Sequence, residues 1–178
     1  MTLIQQFKSN ASGQPKAALK SAAVMAGVIF VLDQAVKILI QNALAVHEVR
    51  SVIPGFFNLI HIHNRGAAFG LFNRADISWQ TPFFIAVTLL TVLIIMYLIT
   101  TTPRQDRFFI FGLSAILSGA LGNLVDRIRL GHVIDYLDFF IGPYHWPAFN
   151  VADTAITLGA IALIISFYRK ERHESRAH

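Results

Sequence analysis

Hydrophobic and polar positions in this chain are laid out in long blocks. Residues 1–20 are polar, carry Lys8, Lys16 and Lys20, and are punctuated by Gly13 and Pro15; they read as a tail. Residues 21–44 are apolar apart from Asp33, Gln34 and Lys37, and the run exceeds the ~20 residues a helix needs to cross a bilayer. With a long polar stretch before it and no convincing small-x-small site after it, it reads as a retained transmembrane helix rather than a cleaved leader. Residues 45–81 differ in kind. Leu59-Ile60-His61-Ile62-His63 alternates with period two, and Pro54, Gly55 and Gly66 punctuate a stretch rich in β-branched and aromatic residues, which predicts short strands forming a small sheet on the membrane. Residues 82–101 are again almost uniformly apolar and end at Thr-Thr-Pro-Arg. A short hydrophilic turn leads to a third run over 108–125, residues 126–150 read as a loop, and a fourth run occupies 151–168 before the tail 169–178. The pattern predicts a single integral membrane domain, mainly α, with four transmembrane helices and a small β-rich segment between the first and second.

Composition agrees with that reading. Mean hydropathy is +0.55 and only 14% of residues are charged, well outside the range of soluble domains. Cysteine is absent, which excludes a disulfide framework, a thiolate zinc site and a thiol nucleophile. The net charge of +5 follows topology and forms no basic stripe, so nucleic acid is not a predicted partner. With both termini on one side, that side carries nine Lys/Arg (Lys8, Lys16, Lys20, Arg104, Arg107, Arg169, Lys170, Arg172 and Arg176). The other side carries five (Arg50, Arg65, Arg74, Arg127 and Arg129). The positive-inside rule then places both termini in the cytoplasm and the 45–81 and 126–150 segments on the outer face.

Four of the chain's ten carboxylates fall between Gly119 and Asp153. Acids at the ends of apolar segments are costly, and they mark a functional site by default. If Asn150 caps the fourth helix, Asp153 sits at its third position, facing unsatisfied backbone N–H groups; Asn-x-x-Asp is also an ordinary capping box, so this feature alone favours a structural role. Asp135, among Val133, Ile134 and Tyr136, should have its pKa raised by desolvation. A raised acid beside an ionised one can share a proton, so that one deprotonates water while the other hydrogen-bonds the carbonyl under attack. Asp126, on one helical face with Gly119, Gly122 and Asn123, reads as a paired, orienting carboxylate, and Asp138 as solvated. Asp33 and Lys37, at i and i+4, can neutralise each other, with Asp33 also able to bond the loop after Asp126. His61-x-His63 fits one face of a strand better than a metal site, and Ser118 fits helix packing better than a Ser–Lys nucleophile with Lys37. No H-E-x-x-H occurs.

Five blocks carry a family resemblance: Asp33-Gln34-Ala35-Val36-Lys37, Asn64-Arg65-Gly66-Ala67-Ala68-Phe69, residues 119–127 (GALGNLVDR), His132-Val133-Ile134-Asp135-Tyr136, and Pro147-Ala148-Phe149-Asn150-Val151-Ala152-Asp153. In this order, with four spans, the chain resembles the lipoprotein signal peptidases, the type II signal peptidases of bacterial inner membranes. The resemblance implies a metal-independent aspartyl endopeptidase without cofactor that cleaves prolipoproteins before a diacylglyceryl-modified cysteine. It places the catalytic pair on Asp135 and Asp153. Asn64, Gly66, Asn123, Asp126, Arg127 and Asn150 fall on positions that shape the site, with Asp33 and Lys37 beneath it and Phe69 with Gly66 in a lid. Val36 and Arg65 depart from the commonest residues there without touching the pair. The implied enzyme is a monomer among membrane lipids with its active site at the periplasmic face. The rival reading is a small proton-coupled transporter or channel subunit, since intramembrane Asp and Lys also build proton relays; a scaffold would have to treat Asp135 and Asp153 as caps alone.

Overall fold

A computed structural model describes residues 3–66, 79–101 and 107–175, with side chains described over 20–66, 79–99 and 107–169. Phe69 lies outside the described residues. Helix α1 runs from Leu3 to Ala43, so the polar stretch from Leu3 onward continues the first span as helix. Strands β1 (Val49–Ile53) and β2 (Phe57–Asn64) follow, then α2 (Gln80–Thr101), α3 (Arg107–Leu130), β3 (Val133–Ile141), β4 (Tyr144–His145) and α4 (Val151–Ser175). Among the described residues, four helical stretches are long and apolar enough to cross a membrane: Lys20–Ala43, Gln80–Ile99, Arg107–Leu130 and Val151–Arg169.

Helix α3 is the centre of the bundle, with 67% of its apolar window buried against 11% in α2. It runs past Val125 to Leu130, so Asp126 and Arg127 stand on its last turns rather than in the following loop. Arg127 and Arg129 there complement the negative end of the helix dipole. Gly131 ends the helix at φ 78°, with its N–H returning to the Arg127 carbonyl at 3.0 Å. Small residues let α4 close on α3. A Cβ at Gly112 would lie 2.8 Å from the Gly159 carbonyl oxygen, and one at Gly159 would lie 2.7 Å from that of Gly112. A cluster of Ala22, Ala26, Ile95, Phe109, Leu113 and Leu117 fills the lower bundle.

The sheet is the main departure from the sequence reading. Its order is β1-β2-β3-β4 with antiparallel pairs throughout, so half of its strands come from the segment read as a loop between the third and fourth spans. In β3 the first four residues are all buried, which removes the alternation by which a strand is usually recognised. Ile134 and Tyr136 on β3 pack against Ile40 of α1 and Leu44 just after it, seating the sheet on the end of that helix. The β2–β3 register pairs Asn64 with Val133 and Ile62 with Asp135, which delivers Asn64 to the carboxylate of Asp135.

Candidate active site

Asn150 opens α4 as its N-cap. Its Oδ1 accepts the Asp153 N–H at 2.9 Å, and the Asp153 Oδ2 accepts the Asn150 N–H at 3.2 Å, which is the reciprocal capping box expected from the sequence. The cap does more than end a helix. Asn150 is fully buried, and its Nδ2 reaches Asp135 Oδ1 at 2.8 Å, the Ile134 carbonyl at 3.2 Å and Asn123 Oδ1 at 3.3 Å. One residue therefore bonds both carboxylates, Asp135 through its side-chain amide and Asp153 through its backbone N–H.

Each acid has a second amide partner. Asn64 Nδ2 donates to Asp135 Oδ2 at 2.9 Å, and its Oδ1 accepts the Gly66 N–H at 2.9 Å. Asn123 Nδ2 donates to Asp153 Oδ1 at 2.8 Å. Both acids line one cavity of about 360 Å³ with Asn64, Asn123 and Arg127, closed on another side by Trp146 to Phe149. A second cavity of about 340 Å³, lined by Phe84 and Val87 of α2 and Ile156 and Thr157 of α4, also reaches Asp153, Asn123 and Arg127. The polar cluster thus meets an apolar passage between helices.

Asp135 is 3% exposed, and its pKa is raised from the ordinary carboxylate value to about 7. Burial is the main cause and the nearby Asp153 charge the second; the amides of Asn64 and Asn150 pull the other way. Tyr136, whose hydroxyl accepts the Val151 N–H at 3.2 Å, is also pushed upward by burial.

Beneath the pair lies a fully buried charge network. Lys37 Nζ stands 2.9 Å from Asp33 Oδ2, 2.8 Å from Asp126 Oδ2 and 3.0 Å from Asn123 Oδ1, using all three of its donors. Asp33 Oδ1 accepts the Ala152 N–H at 2.9 Å, so it bonds the start of α4 rather than the loop after Asp126. That loop is held by Asp126 itself, which accepts the Ile134 N–H at 3.3 Å. Gln34 Nε2 joins Asp33, Asp126 and the Gly122 carbonyl at 3.1–3.2 Å, a role sequence reasoning missed although Gln34 adjoins Asp33 in a matching block. Gly122 makes room for this network, because a Cβ there would meet Asp33 Oδ2 at 2.5 Å. Arg127 turns away from Asp126: Nη2 donates to the Gly66 carbonyl at 2.9 Å, and the guanidinium lies 5.1 Å from the Phe84 ring centre.

Other candidates go elsewhere. Ser118 Oγ donates to the Ala26 carbonyl at 2.8 Å in helix packing, with Lys37 already committed. His61 Nδ1 lies 3.0 Å from the Leu44 carbonyl. Asp138 is not solvated: it is 6% exposed and bonded to Asn58 and His145. Among the described residues, no group of three or more His, Cys, Asp or Glu is arranged to hold a metal ion.

The family model described as Signal peptidase (SPase) II matches residues 25–169. The chain belongs to that family. It is 49% identical over 150 residues to the lipoprotein signal peptidase of Maridesulfovibrio salexigens, covering 84% of this chain and 96% of the relative. It is 47% identical over 145 residues to that of Cupriavidus taiwanensis, covering 82% and 81%. A solved bacterial membrane enzyme, determined by the in meso method, superposes with a TM-score of 0.76 at 30% identity, covering 85% of this chain and 90% of that one. The chain is thus a multi-pass membrane peptidase by family, and neither family nor fold supports the transporter reading.

Proposed function

We propose that this enzyme removes signal peptides from prolipoproteins by a two-carboxylate hydrolysis before the diacylglyceryl-modified cysteine. The observation that carries the reading is that Asp135 and Asp153 share one cavity wall and are both bonded by Asn150. Asp135 carries the shared proton and Asp153 acts as base. Asp153 takes a proton from water as its oxygen attacks the scissile carbonyl carbon, and Asp135 gives its proton to the carbonyl oxygen. The tetrahedral intermediate collapses as Asp153 passes the proton it received to the amide nitrogen; the C–N bond breaks and the hydroxyl proton returns to Asp135. No metal or covalent intermediate is required, and Lys37, Asp33 and Asp126 hold the frame.

The excess of Lys and Arg near the termini supports cytoplasmic ends in a bacterial inner membrane and a periplasmic site. The passage between α2 and α4 supports lateral entry, with the acyl chains of the substrate kept among membrane lipids. One chain supplies every group named above, which supports a working monomer. The test is cleavage of a lipid-modified prolipoprotein by purified wild type, Asp135→Asn and Asp153→Asn. Each variant should insert and fold, bind substrate, and lose turnover by at least roughly a thousandfold. An active Asp135→Asn enzyme overturns the pair, and activity lost to a chelator and restored by zinc overturns the metal-free chemistry.

A further inference from the structure

Trp146, Pro147 and Ala148, which form a wall of the Asp135 cavity, also line a separate cavity of about 380 Å³ with His47, Asp138 and His145. The backbone of this segment is tied at both ends. At its far end, Phe149 exchanges backbone hydrogen bonds with Leu137, at 2.9 and 3.2 Å. At its near end, the Trp146 N–H donates to the Phe139 carbonyl at 2.7 Å.

The side-chain tie is next to it. His145 Nδ1 lies 2.7 Å from Asp138 Oδ1, and the other oxygen of Asp138 accepts Asn58 Nδ2 at 2.9 Å. The His145 ring stacks on Phe140 with centres 4.8 Å apart and planes within 9°. Asp138 is therefore anchored through Asn58 to β2, the strand that also presents Asn64 to Asp135, and it grips the residue immediately before the wall. The two-carboxylate hydrolysis uses neither Asp138 nor His145.

We propose that Asp138 and His145 form a clasp that fixes the Trp146–Ala148 wall and so sets the size of substrate side chain admitted beside Asp135. They are positioning residues: Asp138 holds His145, the residue just before the wall, and neither is bonded to Asp135 or Asp153. The idea rests on the peptidase reading above. An apolar pocket discriminates by about tenfold or more for each methylene it must refuse, provided its wall cannot yield.

The experiment compares two prolipoproteins that differ only in an alanine or a leucine next to the scissile bond, cleaved by wild type, His145→Ala, Asp138→Ala and Asp138→Asn. In His145→Ala and Asp138→Ala, kcat for the alanine substrate should stay within about twofold, while the preference for alanine over leucine in kcat/KM falls by about tenfold. Asp138→Asn, whose amide can still accept from Asn58 and donate to His145, should keep the wild-type preference. In a Trp79→Phe background, Trp146 is the remaining one of the chain's two tryptophans, and its emission should shift in the two alanine variants alone. His145, about half exposed, keeps the test open if Asp138→Ala fails to fold. Unchanged preference or unchanged emission in His145→Ala overturns the clasp. Failure of wild type to cleave overturns the peptidase reading instead, and cleavage by Asp135→Asn overturns the acid pair.

Discussion

Asn150 donates its side-chain amide to Asp135 at 2.8 Å while its own backbone N–H donates to Asp153 at 3.2 Å, so the cap of α4 also spaces the two acids. These roles separate by mutation. Asn150→Ala should lose the cap, about 1 kcal/mol, and lower kcat by roughly a hundredfold through displacement of Asp135. Asn150→Ser keeps an oxygen for the Asp153 N–H and so should unfold near the wild-type temperature, yet show the same loss of turnover. Turnover near wild type in both variants, with stability lost in Asn150→Ala alone, would show that Asn150 only caps.

Lys37 is 1% exposed between Asp33 and Asp126. Removing one member of a buried ionic group leaves the others uncompensated, at about 3–5 kcal/mol. Lys37→Met should therefore lower the unfolding temperature in detergent by about 10 °C. Adding Asp33→Asn and Asp126→Asn removes the stranded charges and should recover at least half of that loss. A triple variant less stable than Lys37→Met would assign the effect to packing rather than charge.

The spans, the capping box and the i,i+4 pair of Asp33 with Lys37 were legible because each is local: hydropathy over some twenty residues, or spacing within one helix. Long-range partners were not. Asn64 meets Asp135 only because β2 pairs with β3 in one register, and Lys37 meets Asp126 only because α1 lies against α3. Asp126 adjoins Arg127 in sequence, yet on a helix consecutive side chains diverge by about 100°, so the two face different neighbours. Asp138 looked solvated because its partners, Asn58 and His145, come from strands whose pairing no short stretch encodes.

The raised pKa of Asp135 gives a pH dependence with a definite sign. Its proton is held up to about pH 7, where an ordinary carboxyl has long since ionised. If that proton is delivered to the scissile carbonyl, kcat/KM should fall on the alkaline side with a midpoint near pH 7 and approach a tenfold loss per pH unit beyond it. A rate that instead rises through this range would make Asp135 the base and reverse the two roles. Initial rates on one prolipoprotein between pH 5 and 9, in detergent that keeps the enzyme folded throughout, decide between them.

His63 supplies the opposite dependence, and in stability rather than rate. Its ring stacks on His132 with centres 3.7 Å apart, and its Nε2 lies 3.3 Å from that of His61. Burial first, then the neighbouring imidazoles and Arg65, lower its pKa from 6.5 to about 4. Between those values the unfolded chain binds the proton and the folded one does not, so acidification through this window favours unfolding, and below about pH 4 the penalty no longer grows. Because the ring is partly exposed, solvent screening reduces the effect, and a fall in unfolding temperature of roughly 2–4 °C from pH 7 to pH 5 is expected from this residue. His63→Gln should flatten that slope while leaving stability at pH 7 nearly unchanged. An equally steep slope in the variant would move the acid sensitivity to His132, which shares the stack and whose pKa is also lowered by burial.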